Sequence, residues 1–161
     1  KALRQPDCTA SRPRIPRPSG LPFSIMLGTK FETEMQVRPD DLDMNAHVHS
    51  SRYLDYVLAA RYDQMERCYQ MPMEEFLAHG FGWVVRTAHV EFKRPLGLGE
   101  RMMVRTRIAE LAKYTVKVHF EILKQKTGKL ASDGWFAYTM INLKTGRAET
   151  IPDWIVAKYS V

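Results

Sequence analysis

The chain has 161 residues, of which 45% are hydrophobic and 26% are charged. This length and composition are typical of one soluble globular domain, and no run of about 18 apolar residues is present that could span a membrane. The formal charge of +6 is uneven, because residues 1–22 hold five basic residues and one acidic residue and so contribute +4. The remainder carries little excess charge, and the composition therefore does not indicate a nucleic-acid-binding protein.

Residues 1–29 are predicted to form a disordered or extended arm that precedes a folded domain at residues 30–161. The arm is rich in proline and arginine and has few large apolar residues, so it cannot bury a core of its own. The cysteines Cys8 and Cys68 are far apart and lack CxxC spacing, which indicates a reducing compartment. We therefore expect a cytoplasmic protein, with organellar targeting by the arginine-rich arm as the alternative.

The first predicted element of the domain is a strand at residues 30–38, where apolar and polar residues alternate. Pro39 ends this strand because proline offers no N–H group to a neighbouring strand. A polar stretch then leads to the longest predicted helix, at residues 50–69, which Ser50 or Ser51 would cap. Its apolar residues recur at helical spacing around so much of the helix that we expect a sheet to surround it. The residues predicted for this face are Tyr53, Leu54, Tyr56, Val57, Leu58, Ala60, Arg61, Tyr62, Met65 and Cys68.

The second half of the chain changes from helical to strand periodicity. A short helix is predicted at residues 73–79, with Gly80 as its C-terminal cap. From residue 83 onward the hydrophobic period is two, which predicts four strands joined by tight turns. These strands span residues 83–93, 101–111, 114–124 and 130–143, and a short terminal helix follows at residues 152–159.

This order of elements predicts an α+β fold in which a five-stranded antiparallel sheet wraps around the long helix. Strands linked by hairpins pair antiparallel, and the apolar face of such a sheet needs a cover, for which the long helix is the candidate. An unpaired edge of the sheet is also expected, and self-association is one way in which proteins cover such an edge.

Three aspartates lie between the first strand and the long helix, at Asp40, Asp41 and Asp43. A helix N-terminus points unpaired N–H groups toward whatever lies in front of it. The aspartates either cap turns and favour the positive end of the helix, or one of them acts as nucleophile or general base on a carbonyl that those N–H groups polarise. The residues by themselves leave both interpretations open.

The same stretch contains an H-x-H pair, His47 and His49. Such a pair can bind a metal ion when both rings share one face of a strand, but this pair lies in a predicted loop without a third ligand at a metal-site spacing. We therefore predict no metal site and no redox cofactor. A group of large apolar residues leaves two interpretations open, an acyl tunnel or ordinary core packing. Its members are Met65, Met73, Phe76, Phe81 and Trp83.

The stretch between strand and helix also resembles a known signature, that of the hot-dog-fold acyl-CoA thioesterases of the 4-hydroxybenzoyl-CoA thioesterase type. The matching residues are Asp41-Leu42-Asp43-Met44-Asn45-Ala46-His47-Val48 and then Tyr53-Leu54-Asp55-Tyr56. A later stretch resembles the end of the second strand in the same family, and its residues are Val90-Glu91-Phe92-Lys93-Arg94-Pro95 and then Gly99-Glu100. The resemblance implies a hot-dog fold, assembly as a homodimer or homotetramer, and hydrolysis of an acyl-CoA or acyl-carrier-protein thioester to a free acid and a thiol. It implies no cofactor beyond the coenzyme A of the substrate.

The resemblance also implies roles for individual residues. Asp43 matches the catalytic aspartate and would be nucleophile or general base, while backbone N–H groups around His49, Ser50 and Ser51 would polarise the carbonyl. The residues assigned to substrate binding are Asp41, His47, Tyr53, Lys93 and Arg94. Of these, Asp41 would also shape the loop, and Lys93 and Arg94 would meet the phosphates of coenzyme A.

Three residues depart from the family pattern. Ala46 stands where glycine is usual, Ser50 where many members have Asn or His, and Pro39 where one subgroup has Tyr. Ala46 and Ser50 motivate a first alternative, a hot-dog module that binds acyl-CoA without turnover. A second alternative is a hydratase or dehydratase of the same fold that uses His47 or His49 as its base.

Overall fold

The computed structural model describes residues 28–160, and its elements follow the predicted order. The strands are β1 (Phe31–Gln36), β2 (Phe81–Phe92), β3 (Arg101–Leu111), β4 (Thr115–Lys124) and β5 (Leu130–Asn142). The helices are α1 (Arg52–Arg67), α2 (Met73–Ala78) and α3 (Asp153–Tyr159), and a 3₁₀ turn at Pro39–Asp41 was not predicted. Almost all of the predicted arm at residues 1–29 lies outside the described residues, so the arm and the cytoplasmic location stay predictions.

The five strands form one antiparallel sheet in the order β1-β3-β4-β5-β2. Helix α1 packs on one face of this sheet, and the contact is a buried apolar cluster that includes Tyr53, Val57, Ala60, Val104, Phe120 and Phe136. The predicted α+β architecture is therefore confirmed, because α1 covers the apolar face that a lone sheet would expose to water. None of the helices described at residues 28–160 is long and apolar enough to cross a membrane.

The buried face of α1 differs from the predicted apolar face at two positions. Tyr62 was expected inside but is 55% exposed, whereas Gln64 was not expected inside and is fully buried. The Gln64 amide is accommodated because it donates to Thr33 Oγ1 at 3.1 Å and lies 3.3 Å from the carbonyl oxygens of Phe31 and Val104. These partners come from β1 and β3, so apolar periodicity within the helix could not identify Gln64 as a core residue.

The start of α1 also differs from the prediction. Ser51 occupies the N-cap position, but its backbone is already helical (φ −63°, ψ −30°) and its side chain makes no capping hydrogen bond. The Ser51 hydroxyl instead lies 2.9 Å from Nδ1 of His49. The predicted N-cap position is therefore confirmed at Ser51, but the capping hydrogen bond expected of a serine is not formed, because the hydroxyl contacts His49 in the preceding loop.

Strand β2 forms one edge of the sheet, since its strand neighbour among the described residues is β5 alone. From Val85 onward the strand is largely exposed, and Val85 and Phe92 are the large apolar side chains that it presents to solvent. A long edge strand with exposed apolar side chains is a surface on which another strand can pair.

Candidate active site

The loop between β1 and α1 folds as a small hairpin. Leu42 and Val48 form an antiparallel bridge, the Asp43 N–H donates to the His47 carbonyl at 2.8 Å, and the His49 N–H donates to the Asp41 carbonyl at 2.9 Å. Hydrogen bonds at both ends and the bridge between them thus hold the aspartates and histidines of the signature in one fixed turn.

This hairpin is fastened to the second signature stretch, which follows β2. The Val48 N–H donates to the Leu96 carbonyl at 2.8 Å, and His47 pairs with Gly97 as an isolated bridge. Leu96 is fully buried, and Glu100 closes its own turn by accepting a hydrogen bond from the Gly97 N–H at 2.7 Å. Two motifs that are about fifty residues apart in sequence therefore build one site.

Asp43 lies at the closed end of the hairpin, with its carboxylate oriented by the backbone. Its Oδ1 accepts hydrogen bonds from the N–H groups of Asn45 at 2.8 Å and His47 at 3.2 Å. The hydrogen bond from Asn45 is the main cause that lowers the pKa of Asp43 below its ordinary value, with His47 adding to it. Asp43 is therefore an oriented and ionised carboxylate at neutral pH.

Ala46 makes the tight turn that brings Asp43 and His47 together. Its φ is +58°, in the left-handed region that favours glycine. The loop thus adopts, with alanine, the torsion for which the related signature uses glycine. The departure at Ala46 carries a conformational cost, but it does not prevent the turn.

The three N–H groups expected to polarise a carbonyl are not equivalent. The His49 N–H is already bonded to the Asp41 carbonyl at 2.9 Å, and the Ser51 N–H donates to Nδ1 of His49 at 3.3 Å. Within residues 28–160, the Ser50 N–H has no hydrogen-bond partner. Of these three donors, the Ser50 N–H is therefore the free one, and Ser50 is also exposed.

Asp41 is buried rather than presented to a substrate, with 1% of its surface exposed. Its carboxylate accepts hydrogen bonds from the Tyr56 hydroxyl at 2.6 Å and from Arg38 Nε at 3.1 Å, and Arg52 Nε lies 3.6 Å away. The hydrogen bond from Arg38 is the largest cause that lowers the pKa of Asp41. Burial and the bond to Asp41 raise the pKa of Tyr56. These contacts connect β1, the hairpin and α1. The geometry therefore indicates that Asp41 stabilises the conformation of the loop.

The other residues assigned to substrate binding occupy different environments. Tyr53 is buried, and its ring packs edge-to-face on Phe92 at a centroid distance of 5.1 Å. The His47 side chain is exposed beside Asp43. Lys93 is paired with both Glu91 and Asp133. Arg94 is exposed and donates to the Leu130 carbonyl at 2.8 Å, with no carboxylate partner in the described part of the chain.

No group of three or more His, Cys, Asp or Glu side chains within residues 28–160 could hold a metal ion. A cavity of about 290 Å³ lies between α1 and the sheet. Of the residues proposed for an acyl tunnel, Met65, Met73 and Trp83 line this cavity, whereas Phe76 is fully buried in the core.

Sequence reasoning missed Arg38 and Arg52 as partners of the buried carboxylate. It also placed Arg61 on the apolar face of α1, without a role, although Arg61 lines the cavity. An arginine within an otherwise apolar stripe was the signal available in the sequence.

Comparison with known proteins gives consistent matches. Residues 37–159 match a family model described as the thioesterase-like superfamily. The Escherichia coli K12 protein named long-chain acyl-CoA thioesterase FadM is 26% identical over 118 residues, which are 73% of this chain and 88% of that protein. The structure of the hypothetical protein TT1821 from Thermus thermophilus is similar with a TM-score of 0.75 and 30% identity, covering 82% of this chain and 96% of that one. SAV2348 from Staphylococcus aureus, solved in complex with CoA, shares the fold with a TM-score of 0.73 at 19% identity, covering 84% and 87% of the two chains.

Proposed function

We propose, on the premise that the chain belongs to the thioesterase-like superfamily, that Asp43 is the reactive carboxylate with which this enzyme hydrolyses an acyl-CoA thioester. The predicted family and the hot-dog fold are confirmed by the family match and by the similar structures. The single observation that carries the assignment is the Asp43 carboxylate, which two backbone N–H groups orient and whose pKa they lower further below neutrality.

An ionised carboxylate has two routes to thioester hydrolysis. In the first, Asp43 attacks the carbonyl carbon, expels the thiolate of CoA and forms a mixed anhydride that water then hydrolyses. In the second, Asp43 accepts a proton from water as the water attacks the carbonyl, and the tetrahedral intermediate then expels the thiolate of CoA, which takes up the proton that Asp43 holds. Both routes need the ionised form, and both place negative charge on the carbonyl oxygen.

The Ser50 N–H is the donor that we assign to this oxygen. It is free in the described structure and lies at the start of α1, where the aligned peptide dipoles present partial positive charge. A backbone donor that is already in place stabilises the developing oxyanion without reorganisation. His49 holds the adjacent Ser51 N–H, and we assign it a positioning role rather than that of a base.

Coenzyme A binding requires cationic side chains for its phosphates. Arg94 fits this role better than Lys93, because Lys93 is already shared by two carboxylates whereas Arg94 has no carboxylate partner within residues 28–160. An acyl-carrier-protein substrate is the alternative, since its phosphopantetheine presents the same thioester without the nucleotide. Loss of activity on acyl-CoA but not on acyl-carrier protein in Arg94→Ala would support the assignment of Arg94 to the nucleotide phosphates.

The test of the proposed function is the conservative substitution Asp43→Asn. Asparagine keeps an oxygen that can accept the bonds from Asn45 and His47, so the hairpin is preserved while the negative charge is removed. We expect release of free thiol from acyl-CoA to fall by about 10²–10⁴-fold, with only a small fall in the unfolding midpoint, because the lowered pKa of Asp43 means that its charge also stabilises the hairpin. Asp40→Asn is the matched control, because Asp40 is exposed and lies 3.8 Å from Arg38; it should keep full activity.

Full activity in Asp43→Asn would overturn the assignment of Asp43. Tight acyl-CoA binding without thiol release from the native chain would instead favour the binding module. A change in enoyl absorbance without thiol release would favour the hydratase.

We further propose that the chain forms a homodimer through β2. The support is the unpaired outer edge of β2 and its exposed apolar side chains, Val85 and Phe92. Val85→Lys should convert the dimer to a monomer in analytical ultracentrifugation, whereas Leu77→Lys, on an exposed position of α2, should not. A wild-type chain that sediments as a monomer at every concentration would refute the dimer.

A further inference from the structure

The cavity between α1 and the sheet contains a buried cation that the mechanism does not use. Arg61 lines this cavity and has only 8% of its surface exposed. Its guanidinium donates to Thr106 Oγ1 at 3.3 Å and lies 3.2 Å from Met65 Sδ, and it sits 5.3 Å from the ring centre of Tyr69. Within residues 28–160 it forms no ion pair with a carboxylate. A buried charge is normally paired, because removing it from water is otherwise costly.

The buried anion of the same protein shows the contrast. Asp41 is buried to a similar degree, but two guanidinium groups and a phenol surround it. Within residues 28–160, the partners of the Arg61 side chain are the uncharged side chains of Thr106, Met65 and Tyr69. The positive charge of Arg61 interacts electrostatically with the phenols of Tyr138 and Tyr159. This interaction opposes the rise in the pKa of both phenols that burial causes. The cavity wall is therefore electropositive without an anion to match it.

Two further polar groups of the same wall lack partners. Nε1 of Trp83 and the hydroxyl of Tyr138 are buried and have no hydrogen-bond partner in the described part of the chain, and both residues line the cavity. Buried polar groups without partners are rare in folded proteins. An indole N–H and a guanidinium can each donate hydrogen bonds, but neither can accept one. Donor groups without an acceptor therefore lie just behind the cavity surface, next to Arg61.

The rest of the lining is apolar and has an opening. Leu58, Met65, Met73, Val116 and Val118 contribute apolar surface, and the side chain of Tyr62 at the rim is about half exposed. Val85 also lies at the rim, on the β2 edge that we assign to the dimer interface, so the opening is the one beside Tyr62. A ligand that fits this lining is apolar along its length and carries an anionic acceptor at its inner end.

We propose that this cavity receives the distal end of the acyl chain and that the preferred acyl group ends in a carboxylate, which Arg61 binds. The inference rests on the proposed thioesterase function and names its substrate class, an ω-carboxyacyl thioester. Arg61 contributes a charge-assisted hydrogen bond, and small side-chain rotations would allow Trp83 and Tyr138 to donate as well. A plain acyl chain of equal length would leave the guanidinium buried and unmatched.

Thiol release from matched pairs of substrates tests the proposal. Each pair consists of an ω-carboxyacyl-CoA and the plain acyl-CoA of the same carbon number, over a series of chain lengths. At the length that reaches Arg61, we expect kcat/KM of the wild type to favour the carboxylate by about 10- to 100-fold. Arg61→Met, which keeps most of the side-chain volume, should reduce this ratio to about one or below, and Arg61→Lys should retain part of the preference.

The ratio separates recognition from structure, because a merely structural defect in Arg61→Met would lower both rates of a pair equally. Equal rates for the two members of every pair in the wild type would overturn the proposal, as would a ratio that Arg61→Met leaves unchanged. If Arg61→Met weakens self-association and leaves the ratio unchanged, Arg61 is matched by a second copy of the chain and the proposal is wrong.

Binding measurements distinguish this inference from the proposed function. The same CoA pairs are titrated calorimetrically into Asp43→Asn, in which Arg61 and the cavity are intact. If the carboxylate member binds more tightly but the wild type does not hydrolyse it, the assignment of the cavity is supported and the proposed thioesterase function is refuted. If plain acyl-CoA is hydrolysed and no carboxylate preference is found, the thioesterase function is supported and the assignment of the cavity is refuted.

Discussion

Replacing Ala46 with glycine is expected to stabilise the protein, although most substitutions by glycine destabilise. Ala46 has φ of +58°, where the Cβ atom of an L-residue costs about 1–2 kcal/mol. Glycine removes that cost but gives the unfolded chain more freedom, which costs about 0.4–1 kcal/mol. Ala46 is exposed, so its methyl group contributes little packing. The net gain is therefore about 0.5–1 kcal/mol, or an increase of roughly 1–4 °C in Tm for a domain of this size.

Urea unfolding of the wild type and Ala46→Gly at equal protein concentration measures this gain. The midpoint should rise while the m-value stays constant, since the surface exposed on unfolding does not change. Ala148→Gly provides the matched control, because Ala148 is also exposed but does not have a positive φ. It should lose about 0.5–1 kcal/mol.

A lower midpoint in Ala46→Gly, similar to that of Ala148→Gly, would refute the reasoning that this turn is strained. Gln70 offers an independent repeat of the experiment. It is exposed, has φ of +51° and lies between α1 and α2, so Gln70→Gly should also raise the midpoint.

Asp41→Asn should lower the free energy of unfolding by about 1.5–3 kcal/mol at pH 7. The folded-state pKa of Asp41 is depressed, so its contribution is present above the ordinary carboxyl pKa and is lost as pH falls through the folded value; the two urea midpoints should begin to approach each other only below the ordinary carboxyl pKa and should meet below the depressed folded value. Gly134→Ala should destabilise by about 3 kcal/mol or more, because its Cβ would lie 1.9 Å from the His89 carbonyl oxygen, as measured by thermal unfolding. Tyr138→Phe should stabilise the free protein by about 1 kcal/mol in the same assay, since it removes a buried hydroxyl without a partner.

Each of these predictions has a specific contradiction. A gap between wild type and Asp41→Asn that does not narrow at all as pH falls below the ordinary carboxyl pKa would show that the carboxylate charge is not what stabilises the loop. Gly82→Ala is the control for Gly134→Ala, because the close contact of its Cβ, at 2.7 Å, would be with the end of the Leu143 side chain rather than with backbone. Equal losses of stability in both variants would rule out the backbone clash. A large loss of stability in Tyr138→Phe would mean that its hydroxyl has a partner.

The sequence by itself determined the order of elements and the family signature. Strand and helix periods are local, so the alternation in β1, β3, β4 and β5 and the apolar spacing in α1 were readable from neighbouring residues. Asp43 could be proposed from the sequence for the same reason, since the signature that it matches lies within one short stretch. The boundaries of α1 were predicted less accurately: the predicted helix spans residues 50–69, whereas α1 spans Arg52–Arg67. The Ser51 hydroxyl lies beside His49.

Only the tertiary structure decided what each polar group of the site contacts. The fold, not the local sequence, buries Asp41 against Arg38 and Tyr56, fastens the hairpin to Leu96, and leaves the Ser50 N–H free among three adjacent donors. Arg61 is the clearest case. Its helical spacing placed it correctly on the inner face, but its unmatched charge depends on which strands pack around it. Burial and the pairing of charges are properties of long-range contacts, and local periodicity cannot report them.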